Sequence, residues 1–225
     1  MKFLKIVSFI GLLLLLIALN SNTLYAKGQP TLLENQKEKL KNENVEITKM
    51  SEKEKEGLKK LTSKNNDIIQ LEKKIKKDGF TEFKLNDENS KLKYIIKNQD
   101  GKKEYGFIVS TVYKNKKTKE IIVSELIYDS YHNKITKFVA EKRKQTENKE
   151  GKLIVNKNYI AQEDNQNAPQ AVGFKWNGKA FACSMGGLYA CSHYCGVWAI
   201  VNPIAGAGCE VVCGTAFAAA CSLSQ

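Results

Sequence analysis

The sequence predicts an α+β chain: a signal peptide, then a helix packed on an antiparallel β-meander, then a disulfide-stapled C-terminal αα-hairpin. Three observations predict it. The N-terminus carries Lys2 and Lys5, runs apolar from Ile6 to Leu19 and reaches a small residue at Ala26. Between Leu92 and Val139, short runs of apolar and β-branched residues are separated by turn residues. All 6 cysteines fall in the last fifth of the chain, in mirror-symmetric spacing.

Two lysines, a short apolar core and an alanine site make an export signal, with cleavage between Ala26 and Lys27. The apolar run is shorter than the ~20 residues a membrane-spanning helix needs. Export implies a secreted, extracellular protein and a compartment in which disulfides persist. Four segments are expected: 1–26, the signal peptide; 27–159, an α+β domain whose first part, 27–49, is a polar mobile arm; 160–175, a polar linker; and 176–225, a cysteine-rich helical hairpin.

Within the α+β domain, Ser51-Glu52-Lys53-Glu54 is a capping box. Leu58, Leu61, Ile68, Leu71 and Ile75 follow at helical spacing, and Gly79 can end the segment, so one amphipathic helix is predicted. Strands are predicted at Leu92–Ile96, Tyr105–Tyr113, Ile121–Tyr128 and Ile135–Val139, with a weaker one at 152–155. Asp100-Gly101, Asn115 to Thr118 and Asp129 to Asn133 supply the turns. A helix before such a meander suggests two layers, the helix covering one sheet face. The order of elements resembles cystatin-like architectures. Tyr94, Tyr105, Tyr113 and Tyr128 read as cross-strand packing, with a binding face as the alternative.

The net charge of +12 is uneven: the first 26 residues hold +2 and the stretch after Gln170 holds +1, leaving +9 for the middle. A basic secreted domain is attracted to anionic envelopes and lipids. The charge is diffuse and no binding motif accompanies it, which argues against nucleic acid. No catalytic constellation is present, so an enzyme is not expected. Of the 2 histidines, His132 falls in a predicted turn and His193 lies among the cysteines. No phosphate loop or zinc-protease motif occurs, and no cofactor is implied.

The cysteines read C-x7-C-x3-C-x13-C-x3-C-x7-C, and mirror-related indices sum to 404, so the centre is Asn202. In an antiparallel pair of elements, facing residues keep a constant index sum. A C-x3-C step is one helical turn, which puts both thiols on one face. Asn202-Pro203 suits a helix start, an N-cap followed by the first helical position. The reading is helix, turn, helix, with nested bonds Cys195–Cys209 near the turn, Cys191–Cys213 in the middle and Cys183–Cys221 at the open end. Zinc held by cysteines and His193 is the alternative, but the spacing departs from structural zinc sites. From Pro203 to Leu223 only Glu210 is charged, and small residues dominate. Such a hairpin suits close helix packing and a membrane surface. Tyr194, Trp198 and Phe217 are the candidate membrane-facing residues.

An export signal, a polar variable region and a compact apolar tail from Cys183 to Cys221, with Pro203-Ile204-Ala205-Gly206 between the cysteine clusters, resemble the halocin C-eight-like bacteriocin precursors and their Gram-positive immunity/bacteriocin fusions. The resemblance implies a bifunctional precursor. The tail would be the antimicrobial, acting on a target-cell membrane or envelope. The upstream domain would be immunity-like, protecting the producer by holding the hairpin within the chain, and a processing protease would release the tail. The alternative is a secreted protease inhibitor or other binding module with a stapled hairpin.

Overall fold

A computed structural model of the chain describes residues 31–39, 45–97, 103–130, 133–145, 151–159, 189–203 and 209. The signal peptide with its Ala26–Lys27 site, the Asp100-Gly101 turn, His132, the linker 160–175, and Cys183, Cys213, Phe217 and Cys221 lie outside these residues. The chain divides into two units, Met1–Thr31 and Leu32–Gln225, and the second holds the architecture that follows.

Among the described residues, seven strands form one antiparallel sheet: β1 (Val45–Lys49), β2 (Thr81–Phe83), β3 (Lys91–Lys97), β4 (Lys103–Asn115), β5 (Glu120–Asp129), β6 (Lys134–Lys144) and β7 (Lys152–Asn158). Their order is β1-β3-β4-β5-β6-β7, with β2 paired to the far half of β4 through Thr81↔Lys114 and Phe83↔Val112. From β3 to β7 the sheet is the expected meander. Asn115 closes one turn by accepting from the backbone N–H groups of Lys117 and Thr118. Lys119 and Asn133 take the left-handed conformation at turn exits.

Both faces of the sheet are covered, which differs from the two-layer expectation. Residues of β5 alternate between two cores: Ile121, Val123 and Ile127 in one, Ile122, Leu126 and Tyr128 in the other. The second core is roofed by α2 (Glu52–Thr62) and α3 (Asn66–Lys77) through Leu58, Ile68, Leu71 and Ile75. The predicted single helix is therefore two. Ser63 caps the first C-terminally, and Asn65 starts the second by accepting from the Ile68 N–H at 3.2 Å. The capping box at Ser51–Glu54 is present, and Gly79 ends α3 at φ +78°, with the Phe80 N–H reaching back to the Ile75 carbonyl.

The other face is covered by α1 (Leu32–Lys39) and by α5 (Ala190–Val201) from the cysteine-rich tail; α4 (Asp87–Ser90) is a single turn before β3. Residues 32–39 and 45–49 thus correct the mobile-arm expectation. Val45-Glu46-Ile47 alternates and pairs with β3 through Ile47↔Tyr94, burying Ile47 in the core beneath Leu33. In β6, Tyr128↔Ile135 is followed by Ile127↔Lys137, so Thr136 is an extra residue that shifts the alternation. Beyond it, Val139 joins the α5 side while Phe138 and Ala140 join the other.

Candidate functional site

The tail helix α5 buries residues 190, 193, 194, 197, 198 and 201, an i, i+3, i+4 stripe facing the sheet. Tyr194, Val197 and Trp198 are fully enclosed. In the intact chain Tyr194 and Trp198, the candidate membrane-facing residues, both lie against the sheet, in one apolar core with Val123, Ile127 and Val139. Tyr189, just before the helix, stacks on Tyr94 of β3 with ring centroids 5.5 Å apart. The guanidinium of Arg143 lies over the Trp198 ring at 5.1 Å.

Cys191 and Cys195 flank the buried stripe, half-exposed on one side of α5, as one helical turn between them requires. Cys195 is bonded to Cys209 with Cα atoms 5.4 Å apart. This is the pair nearest the mirror centre. Cys191 is also disulfide-bonded, to a residue outside those described. Asn202 stops α5: its backbone is extended, at φ −155°, while its N–H still reaches the Trp198 carbonyl at 2.8 Å. The backbone is helical again at Pro203 and at Cys209.

The sheet under α5 is not purely apolar. Ser110 of β4 and Glu125 of β5 are cross-strand partners, and both are buried. The Ser110 hydroxyl donates to Glu125 Oε2 at 2.7 Å, and His193 Nδ1 meets the same oxygen at 2.7 Å. On β6, Glu141 binds the Arg143 Nε–H through Oε1 and accepts from the Tyr194 hydroxyl through Oε2 at 2.9 Å. Glu141 and Arg143 are buried as well. At the helix flank, the Gln36 amide of α1 donates to the Ser192 hydroxyl at 2.8 Å. Gly151, just before β7, leaves room for the Glu141 carboxylate: a Cβ there would lie 1.5 Å from Oε1.

Burial pushes the Glu125 carboxyl up, opposed by the His193 contacts and the Ser110 hydrogen bond. Burial, with the charge of Glu141, also pushes the Tyr194 phenol well up. Ser110, His193 and Glu125 are the residue types of a hydrolytic triad, but Ser110 and Glu125 both converge on Nδ1 of the ring. A triad needs nucleophile and acid on opposite ring nitrogens and an open approach to the nucleophile. Here His193 Nε2 has no hydrogen-bond partner among the described residues, and Ser110 is sealed beneath the helix. The arrangement binds a helix. It does not activate a hydroxyl.

Among the described residues, no group of three His, Cys, Asp or Glu side chains is placed to hold a metal ion. Nor is any described helix long and apolar enough to cross a membrane. On the opposite face, a cleft of about 420 Å³ opens between the α2–α3 pair and the sheet, floored by Val109, Leu126 and Phe138.

Sequence reasoning singled out His193, Tyr194, Trp198 and the cysteines; of these, His193, Tyr194, Trp198, Cys191 and Cys195 come together on α5, and Cys209 meets Cys195 through their bond. It missed Ser110, Glu125, Glu141, Arg143 and Gly151. One signal was available. Ile121 to Tyr128 is apolar on both faces except for Ser124-Glu125, and a carboxylate inside such a strand requires a partner.

A family model described as "Putative immunity protein/bacteriocin", Gpos_C8-like, matches residues 29–221. No curated protein and no solved structure matches the chain.

Proposed function

We propose that this chain, which belongs to the Gpos_C8-like immunity protein/bacteriocin family, is a secreted bacteriocin precursor in which the upstream sheet holds the tail that it releases. Residues 1–26 direct export, a processing protease cuts in the 160–175 linker, and the freed cysteine-rich hairpin acts on the target-cell membrane or envelope. The upstream domain is the immunity element and works by binding, not by catalysis. One observation supports this reading above the others: the whole inner face of α5 is buried on the upstream sheet, and there His193 Nδ1 meets Glu125 and the Tyr194 hydroxyl meets Glu141. A tail that merely ended the chain would need no Glu125 or Glu141 beneath it.

The test inserts a specific protease site between Asn165 and Gln166 and cuts the folded, oxidised chain. The separated tail should inhibit a panel of Gram-positive strains, and adding back the upstream part should suppress the inhibition. A tail inactive across the panel, or activity indifferent to the upstream part, would overturn the proposal.

A further inference from the structure

We propose that Ser110, Glu125, Glu141 and Arg143 form a recognition set by which the sheet reads His193, Tyr194 and Trp198, accepting this tail even when severed and rejecting helices of the same shape that lack those groups. The inference rests on the sequestration reading above and assigns its specificity to named pairs.

The physical ground is mutual. An apolar helix of equal volume seated on this face would bury Glu125 and Glu141 while removing His193 from one and the Tyr194 hydroxyl from the other. A buried carboxylate that loses one of its partners is penalised, even where Ser110 and Arg143 remain beside Glu125 and Glu141. On an apolar sheet, conversely, His193 would lose its bonds. Shape and apolar area alone would admit many helices, whereas these pairs admit few. The groups facing Glu125 are Ser110 on β4, His193 and Tyr194 on α5, and Tyr94 on β3, whose phenol is pushed up by burial and by the Glu125 charge. Glu141 and Arg143 complete the set on β6.

This arrangement makes docking proton-linked. Glu125 in water titrates in the ordinary carboxylate range, and burial under the helix raises it. Docking therefore takes up a proton in the interval above that range. The contribution of Glu125 to affinity falls as pH rises through it, by at most about tenfold per pH unit for one proton. Burial of apolar surface alone would give no such slope.

The experiment uses the full chain cut at the inserted site between Asn165 and Gln166. Retention of the tail is measured by competition with fluorescently labelled, oxidised tail from pH 5 to pH 8. The wild-type sheet should hold the tail. Glu125→Leu or His193→Leu alone should weaken it by about a hundredfold, while the double variant, apolar on both sides, should recover to within about tenfold. Glu125→Gln should flatten the pH slope. Tyr194→Phe, which leaves the sheet untouched, should cost about tenfold through Glu141, and it carries the test if a Glu125 variant fails to fold. The inference is overturned if single-variant losses simply add in the double variant, if Tyr194→Phe and His193→Leu bind as well as an Ile200→Ala control, or if Glu125→Gln leaves the pH slope unchanged. A tail that is retained with these couplings but inhibits no strain overturns the antimicrobial reading and leaves recognition standing.

Discussion

Truncating Trp198 to alanine is the sharpest test of whether the tail helix is part of the folded domain. The indole is fully buried. An aromatic side chain of this kind removes about 150–250 Å² from water. At about 25 cal/mol/Å² that corresponds to about 4–6 kcal/mol, an upper bound because the unfolded chain already buries some of it. Large-to-small aromatic truncations fall at about 3–5 kcal/mol, of which loss of the Arg143 guanidinium over the ring accounts for about 1 kcal/mol. Against a total of about 5–15 kcal/mol for a domain, this is a large share. Urea unfolding of the oxidised chain, followed by far-UV circular dichroism, should show a loss of about 3–5 kcal/mol for Trp198→Ala. Ile200→Ala, on the outer side of the same helix and 44% exposed, should cost under about 1 kcal/mol. In a Trp176→Phe background, the blue-shifted emission of Trp198 should move to the red as the helix leaves the sheet. Equal stability of the Trp198→Ala and Ile200→Ala variants would refute the seating of α5.

Other substitutions probe the supports of the site. Gly151→Ala drives a Cβ into the Glu141 carboxylate and so detaches Tyr194 and Arg143 from it; thermal melting should show a loss of about 3 kcal/mol or more. Replacing Cys195 and Cys209 by serine opens a bond spanning 14 residues, which should cost about 3 kcal/mol in urea unfolding. Gly79→Ala places a side chain at φ +78°; Asn115 lies at an ordinary 3.6 Å, so the cost is backbone strain of about 1–2 kcal/mol, read as a lower melting temperature. Burial lowers the Lys137 ammonium to about 8. The folded state therefore binds fewer protons than the unfolded one between about pH 8 and the ordinary lysine value, and stability should rise with pH across that window. Lys137→Met should abolish the rise. Tyr113 has the opposite sign: burial raises its phenol to about 12, so the stability it contributes is lost as pH climbs from the ordinary phenol value through about 12.

The meander was legible because its strands carry local signals: alternation in Tyr105–Tyr113 and turn chemistry at Asn115 that its own side chain enforces. The break between α2 and α3 was written in Ser63-Lys64-Asn65-Asn66, but apolar spacing before and after it kept one helical phase and concealed it. β1 is too short for periodicity to distinguish from a polar arm; only its pairing with β3 defines it. The candidate site divides the same way. His193, Tyr194 and the C-x3-C step lie within one helix and could be placed on it from spacing. Their partners Ser110 and Glu125 lie 83 and 68 positions away, joined to His193 only by the fold. The face of α5 was legible, but its destination was not. An apolar stripe with polar tips suits a lipid surface or a sheet with buried carboxylates equally well, and nothing in the stripe itself distinguishes them.

That ambiguity bears on the proposed release. The stripe that would engage a membrane is the one now occupied by the sheet, so holding and acting exclude each other. The arm that follows Pro203 is rich in glycine and alanine, and such small residues offer little surface with which to cover Tyr194 and Trp198. The disulfide at Cys195–Cys209 ties α5 to the chain beyond Pro203, while the sheet does the covering. Cutting the linker therefore does not by itself free the tail. It converts an intramolecular contact, held at an effective concentration of about millimolar, into one governed by ordinary mass action. A cut complex of roughly micromolar affinity would stay closed near the producing cell, where both parts are concentrated, and would open on dilution to the nanomolar range. Serial dilution of the cut chain, followed by the red shift of Trp198 emission in the Trp176→Phe background, should show that opening, whereas the uncut chain should show none at any dilution.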